Sequence, residues 1–238
     1  MGTDKLFEQF YFSRDTYLSG TVQFHNMIAA AAPAHAQILE IGPSSGGETS
    51  KFLRGLGEVT GVDVDPLVLS NPSLHHAFVY DGNELPFGDK SFDLCVSDYV
   101  LEHVANPEKH FASVARVLRP GGCYVFRTPN LWHYVSLAAR ILPHRLHVKL
   151  SPGLRDVPAD THDPFPTCYR ANSARRIKSL AAGAGLSVRQ LLRVEKEPSY
   201  GRAHALIFYP MMAYERLVNS SEALAFMRVN IFAVLVRE

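Results

Sequence analysis

Three observations predict an α/β protein with a mostly parallel sheet and helices on both faces. Short apolar runs alternate with helically spaced segments along the first 130 residues. A Gly-rich turn joins the first such run to the first helical segment. The chain is also large and apolar enough, at 238 residues and 47% hydrophobic, to bury a substantial core without disulfide or metal staples.

Gln37–Gly42 (QILEIG) is an apolar run closed by Gly and reads as a buried strand. Glu48–Leu56 carries Phe52, Leu53 and Leu56 at helical spacing. Glu58–Asp63 (EVTGVD) is the second strand, followed by the turn residues Asp65-Pro66, and Ala77–Tyr80 and Phe92–Ser97 are the third and fourth. Pro107–Leu118 is a helix with Asn106 as its N-cap, Pro at its first position, and Phe111, Val114, Ala115 and Leu118 on one face. Pro120-Gly121-Gly122 stops it, and Cys123–Arg127 is the fifth strand. Leu131–Leu142 reads as a helix, and Pro143–Pro166 as a long Pro- and His-rich loop of the kind that is more often functional than inert. A basic amphipathic helix over Ala171–Ala184, a strand over Leu186–Val194, a helix over Leu206–Val218 and a terminal strand over Val229–Val236 complete the chain. One domain is expected over 1–238, organised as an N-terminal cap (1–36), a ligand-binding core (37–130), an insert (131–170) and the C-terminal half of the sheet (171–238).

The formal charge of +1, with 20% charged residues, fits neither a nucleic-acid binder nor a disordered chain. It hides an asymmetry. Residues 1–130 carry 9 Lys+Arg against 15 Asp+Glu, a net of −6, and residues 131–238 carry 15 against 8, a net of +7. Cys95, Cys123 and Cys168 show no CxxC spacing and read as reduced thiols. The opening MGTDKLFEQFYFSRD is not a secretory signal and no run is long enough to span a bilayer, so a cytoplasmic location is expected.

The strongest local signal is Glu40-Ile-Gly42-Pro-Ser-Ser-Gly46-Gly47 at the first strand–helix junction. Glycines let a backbone turn tightly and approach a ligand, and the helix start offers free N–H groups. Asp63 closes the second strand, where a carboxylate can accept both hydroxyls of an adenosine ribose. Dinucleotide sites use G-x-G-x-x-G, but here the middle Gly is Ser44. Glu40 would repel a pyrophosphate and suits a cationic ligand carrying sulfonium and amino groups.

Further along run Val79-Tyr-Asp81-Gly-Asn-Glu-Leu85-Pro86-Phe87, Ser91-Phe-Asp93-Leu, Val100-Leu-Glu-His103-Val and Arg116-Val-Leu-Arg-Pro120-Gly-Gly122. This order and spacing resemble the class I S-adenosylmethionine-dependent methyltransferases, in their small-molecule branch, over about Ile38–Asn130. The resemblance implies a Rossmann-like seven-stranded, mostly parallel sheet with an antiparallel last strand and an insert after strand five. It implies S-adenosylmethionine as cofactor. Glu40, Gly42 and Gly46 would surround its methionine part, Asp63 its ribose, Val64 and Gly82 its adenine, Asp81 the adenine amino group, and Ser97 would lie beneath the methionine. The family usually has Gly at position 44. The motifs specify fold and cofactor and leave the acceptor open.

Methyl transfer to a small molecule, most simply at oxygen, is therefore expected. The alternative is a non-catalytic cofactor-binding or scaffold protein with a vestigial site, which Ser44 supports and Asp63 and Asp81 oppose. The Asn/Asp-Pro-Pro-aromatic signature of amino methylation is absent, since the chain has Ser97-Asp98-Tyr99-Val100. His103 and His133 are the candidate bases, because they flank the ends of strands four and five. Asp98 and Tyr99 face the expected reaction centre without a stronger claim, and Asp93 reads as a polar strand-start residue. The segment from Trp132 to Pro166 is expected to cover the acceptor, with Tyr11 and Tyr17 on the N-terminal side. No metal is expected at Glu102-His103 or among His133, His144, His147 and His162. No nucleic-acid partner is expected. Arg140, Arg145 and Lys149 leave peripheral contact with an anionic membrane open.

Overall fold

The computed structural model describes residues 3–13, 17–134, 136–137, 165–198 and 205–238. The helix expected at Leu131–Leu142 and the loop at Pro143–Pro166 lie for the most part outside them.

Seven strands form one sheet: β1 (Ala36–Ile41), β2 (Gly57–Asp63), β3 (His76–Val79), β4 (Phe92–Asp98), β5 (Leu118–Pro129), β6 (Leu186–Val194) and β7 (Asn230–Arg237). Their spatial order is β3-β2-β1-β4-β5-β7-β6. The pairings of β1 with β2, β1 with β4, β2 with β3 and β4 with β5 are parallel. The bonds around β7 make it antiparallel. Asn130 N–H at the end of β5 donates to Val229 O just before β7 (2.7 Å), while Arg237 at the far end of β7 donates to Leu118 O at the start of β5. Ser187 Oγ, early in β6, donates to Val236 O (3.4 Å), late in β7. The expected sheet is thus present, antiparallel last strand included.

Most helices follow the expected signals. They are α1 (Thr3–Phe7, continued by a π turn over Glu8–Phe12), α2 (Gly20–Ala31), α3 (Glu48–Arg54), α4 (Pro107–Val117), α5 (Ala174–Gly183) and α6 (Ala205–Asn219). Asn106 Oδ1 accepts Lys109 N–H at 3.1 Å to cap α4, with Pro107 at the first position, where a missing N–H costs nothing. Helix α5 starts three residues later than its apolar spacing suggests, because Ser173 Oγ caps it through Arg176 N–H (3.3 Å).

One boundary differs more. Strand β5 begins at Leu118 and takes in Pro120-Gly121-Gly122, which was expected to stop the helix ahead of a strand starting at Cys123. Gly121 sits at φ +78° there, and the pairing with β4 shifts register between Phe92 and Leu94. Asp93 anchors the irregularity, with one carboxylate oxygen accepting Gln37 N–H of β1 (2.8 Å) and the other accepting Arg119 Nη1 (2.7 Å). A single acid thereby ties the amino ends of β1, β4 and β5.

The described chain forms two compact units. One comprises 23–129, 167–192 and 231–238 and holds the sheet core, including Leu39, Ile41, Val114, Tyr124, Phe126, Ile177 and Ile231. The other comprises 1–22, 130–166 and 193–230. Its core is aromatic: Phe7, Tyr11 and Phe208 with Leu6, against which Phe10, Tyr17 and Met212 pack. Tyr11 Oη donates to Glu215 (3.0 Å) and Tyr17 Oη to Glu197 within that unit.

Replacing Asp93 with Ala removes two charge-assisted bonds at a half-exposed site. It is expected to cost about 1–2 kcal/mol, a fall of several degrees in Tm by calorimetry, with no loss of secondary structure.

Candidate active site

The sheet order reverses at β1, whose chain neighbour β2 lies on one side and β4 on the other. The loops leaving β1 and β4 at their carboxyl ends diverge, and this is where open α/β sheets bind ligands. The candidate residues of the larger unit gather there.

The loop after β1 is shaped by a few bonds. Gly42 N–H donates to Val62 O (2.8 Å), and Gly46 N–H to Pro43 O (2.9 Å). Both glycines have positive φ, +76° and +101°. A Cβ on Gly42 would meet Val100 Cγ2 at 2.4 Å, and one on Gly46 would meet Asn71 Oδ1 at 2.6 Å. Neither position admits a side chain. Between them Ser44 adopts φ +45°, the conformation a Gly would take more cheaply. Its N–H donates to Asp63 Oδ2 at 2.7 Å, which holds it there. The departure from Gly at position 44 therefore leaves the loop in its left-handed course.

Asp63 is buried, and its second oxygen accepts Asp65 N–H (3.0 Å). Each carboxylate oxygen keeps a further lone pair, so two ligand hydroxyls can still be accepted. Val64 and Asp81 are exposed just past the carboxyl ends of β2 and β3, and Gly82 follows at φ +80°. Asn83 donates twice to Asp81, through N–H (3.0 Å) and Nδ2 (2.9 Å), and these bonds hold the Asp81 carboxyl below the usual range.

Glu40 is only 3% exposed. Ser50 Oγ, at the start of α3, donates to its Oε1 (2.9 Å), and its Oε2 finds no partner among the described residues. Burial pushes its pKa up to about 7 against the opposing Ser50 bond, and the charges of Asp98 and Asp63 push the same way. The carboxyl is thus half-neutral at physiological pH and has an acceptor in reserve.

Ser97 lies where expected at the end of β4, but its hydroxyl is turned into the core. It shares a 2.7 Å bond with Tyr124 Oη, which in turn lies 3.0 Å from His110 Nε2. Only the Ser97 backbone is left for a ligand at this edge. The next residue does more. Asp98 accepts Arg127 Nη2 (2.8 Å) and Arg127 Nε in a two-point pair, and Thr49 Oγ1 donates to it at 2.7 Å. Arg127 lies between the rings of Phe24 (5.0 Å) and Tyr99 (4.9 Å). His25 of α2 reaches Thr49 Oγ1 at 3.3 Å and stacks on Phe52, and burial and Arg127 lower its pKa.

Asp98 and Arg127 are register partners on adjacent parallel strands, a relation visible only once the strand order is known. Sequence analysis missed His25, Thr49, Asn71 and Arg127 for that reason. An acid one residue past the fourth strand candidate and an arginine that ends the fifth were the available signal.

The candidate bases are separated by environment. His103 sits half-buried in the turn after β4, where its N–H donates to Val100 O (2.9 Å). His133 belongs to the other unit and is 2% exposed. Burial lowers its pKa to about 4 and raises that of Glu195, 3.9 Å away, to about 8. His144, His147 and His162 lie outside the described residues. Among the described residues, no three His, Cys, Asp or Glu side chains are grouped to hold a metal ion.

Residues 39–126, which span the whole of this site except its α2 side chains and Arg127, match the family model described as a methyltransferase domain. These residues form a methyltransferase domain of the class I S-adenosylmethionine-dependent type. It is 30% identical over 165 residues to an S-adenosylmethionine-dependent methyltransferase of Mycolicibacterium smegmatis, covering 68% of this chain and 56% of that one. It is 32% identical over 95 residues to the demethylmenaquinone methyltransferase of Tropheryma whipplei strain Twist, covering 37% of this chain and 40% of the relative. The first curated relatives are matched over about two fifths of their length. Among solved structures, geranyl diphosphate C-methyltransferase from Streptomyces coelicolor A3(2), in complex with Mg2+, geranyl diphosphate and S-adenosyl-L-homocysteine, shares the fold at a TM-score of 0.56 and 15% identity. That likeness covers 91% of this chain and 77% of that one.

The residues present fit the family's cofactor. Buried Glu40 keeps one oxygen for an ammonium, and Asp63 keeps lone pairs for hydroxyls.

With its pKa raised, Glu40 holds a proton in the folded protein that the unfolded chain has already released between about pH 4.5 and 7. Folding stability from this group is therefore full below the unfolded value and is lost as pH rises through about 7, to a total of about 3 kcal/mol. Without ligand, Glu40→Gln is expected to melt level with the wild type near pH 4.5 and several degrees above it near pH 8.5. Thermal scans at the two pH values check this.

Proposed function

We propose that the protein transfers the methyl group of S-adenosylmethionine to a small-molecule acceptor, at an oxygen atom. The buried, half-neutral Glu40 with its unpartnered oxygen carries the reading, because a cationic amino acid moiety is the ligand that such a group accommodates. The loop from Gly42 to Gly46 wraps the methionine part, Asp63 accepts the ribose hydroxyls, Val64 and Gly82 flank the adenine, and Asp81 accepts from its amino group. The cofactor supplies an electrophilic methyl on a sulfonium. The chain's own contribution is to orient donor and acceptor in line and to exclude water. His103 is the base of this reading where the acceptor hydroxyl is not already ionised, since His133 is a weaker base and closed to solvent. A small acceptor is supported by the relatives' names, demethylmenaquinone and geranyl diphosphate methyltransferases. The lack of an amino-methylating signature after β4 speaks against a nitrogen acceptor.

The vestigial-site alternative rests on Ser44. The bond from Ser44 N–H to Asp63 weakens that case, since the loop keeps its course.

Calorimetry with S-adenosylmethionine is expected to show binding, and Asp63→Ala to weaken it by about 10- to 100-fold, the loss of a charged hydrogen-bonding partner. Unchanged affinity in Asp63→Ala, or a preference of the wild type for NADH, overturns the assignment. Labelled methyl transfer screened over phenols, quinols, sugars and carboxylic acids then identifies the acceptor. On that acceptor, His103→Phe is expected to abolish the rise of kcat/KM with pH through the histidine range and to slow turnover about 10²- to 10⁴-fold.

A further inference from the structure

Helix α4 ends against the loop that runs from Tyr80 to Ser91 between β3 and β4. The last carbonyls of a helix lack partners within it. Here the loop supplies them: Lys90 N–H donates to Arg116 O (3.0 Å) and Ser91 N–H to Val117 O (2.8 Å). The Arg116 side chain returns the contact, with Nη1 donating to Phe87 O (2.6 Å) and Nη2 to Leu85 O (2.8 Å). Nη1 also meets Asp89 at 3.0 Å, and Nη2 meets Glu84 at 3.4 Å. Those two acids are 69% and 74% exposed, so water screens the ion pairs, and the two carbonyl bonds carry the hold. Ser113 Oγ accepts Leu85 N–H (3.0 Å), and the Leu85 side chain is buried in the sheet core. An arginine in the last turn of a helix is ordinarily explained by the helix dipole. The dipole asks for a charge near the helix end, and not for a planar fork set on two carbonyls of another segment.

The clamped half of this loop adjoins its exposed half. Asp81, Gly82, Asn83 and Glu84 are all exposed, and Asp81 is held from within the loop by Asn83 N–H and Nδ2. On one side of them β3 ends at Val79, and Tyr80 N–H donates to Asp63 O (3.0 Å). On the other side Leu85 is fixed by Ser113 and Arg116. Residues 81–84 are thus strung between two anchors, and Arg116 makes the second one firm. We propose that Arg116 is a positioning residue for the cofactor's base. By fixing Leu85 and Phe87 it holds the Asp81 carboxylate in line with the exocyclic amino group of adenine, and so sets the preference for adenine over a base with oxygen at that place. This rests on the proposed assignment of Asp81 to that amino group. Arg116 acts through the loop. A loop ordered beforehand spares the entropy of ordering it on binding. A hydrogen bond is directional, so a carboxylate that wanders loses the amino contact before the base loses its apolar contacts.

Calorimetry of the full chain tests this with two ligands, S-adenosylhomocysteine and S-inosylhomocysteine, which carries oxygen in place of the exocyclic amino group. The wild type is expected to prefer the first by about 10- to 100-fold, the difference that one charged hydrogen bond makes. Arg116→Gln is expected to lower that preference about tenfold, by weakening the first ligand and leaving the second nearly unchanged. In the ligand-free protein the same variant is expected to speed amide hydrogen exchange at Asn83 by about tenfold. Arg116→Lys keeps the charge without the fork, and is expected to fall short of the wild-type preference. It gives the same readout where Arg116→Gln does not fold. Equal losses for both ligands, as plain destabilisation produces, overturn the proposal. So does an unchanged preference, or unchanged exchange at Asn83. A wild type that binds neither ligand overturns the methyl-transfer reading itself. A wild type that binds both equally overturns the Asp81 assignment and this proposal with it, and leaves methyl transfer standing.

Discussion

Three carboxyl groups meet at the carboxyl ends of β1, β2 and β4, and the larger unit depends on how their mutual repulsion is handled. Burial strengthens that repulsion, since a low-dielectric setting screens charge poorly. Each acid is accommodated by different means. Asp63 accepts two backbone amides, those of Ser44 and Asp65. Asp98 faces the Arg127 guanidinium at two points and Thr49 at a third. Glu40 has one hydroxyl bond, and burial above all, with the charges of Asp98 and Asp63 adding to it, makes it keep its proton to about pH 7. The group left unsatisfied is the one that the proposed function assigns to a cationic ligand.

The same arrangement sets the backbone. Asp63 takes the Ser44 N–H, so the loop must turn left-handed at Ser44, and a bond to a carboxylate is strong enough to offset the roughly 1 kcal/mol that a non-Gly residue costs there. Asn71 supports the loop from below, with its Nδ2 reaching Ser44 O and Ser50 Oγ and its Oδ1 accepting Ser73 N–H. Gly46 must lack a Cβ because Asn71 occupies the space. The glycine at 46 and the asparagine at 71 are thus one feature, separated by 25 positions in the chain.

This separation explains what sequence alone could and could not disclose. Strands buried on both faces announce themselves as apolar runs, so β1, β2 and β4 were legible to within a residue, and so was Asp63 as the acid that closes β2. Local caps such as Asn106 and Ser173 are equally readable in principle, although only the first stood directly before its apolar pattern. Contacts between distant segments were not. The Asp98–Arg127 pair, the support from Asn71 and the reach of His25 to Thr49 each join segments more than 20 residues apart. Ser97 shows the converse limit. It was expected beneath the methionine, but strand alternation turns its hydroxyl toward Tyr124, and Asp98, one residue on, meets Thr49 and Arg127 instead.

The engagement of Asp98 also bears on where a proton can go. An acid at the end of β4 would be an obvious acceptor for a substrate proton. Here its oxygens are committed to Arg127 and Thr49, and Arg127 is itself buried between Phe24 and Tyr99. The pair is therefore better read as a rigid positioning element that fixes α2 and the Tyr99 turn around the site. Proton removal then falls to a group outside it, or to an acceptor acidic enough to arrive ionised. Geometry reaches the same division as the burial of Glu40: of the acids at this edge, one is held by amides, one by arginine, and the third keeps an oxygen without a hydrogen-bond partner among the described residues.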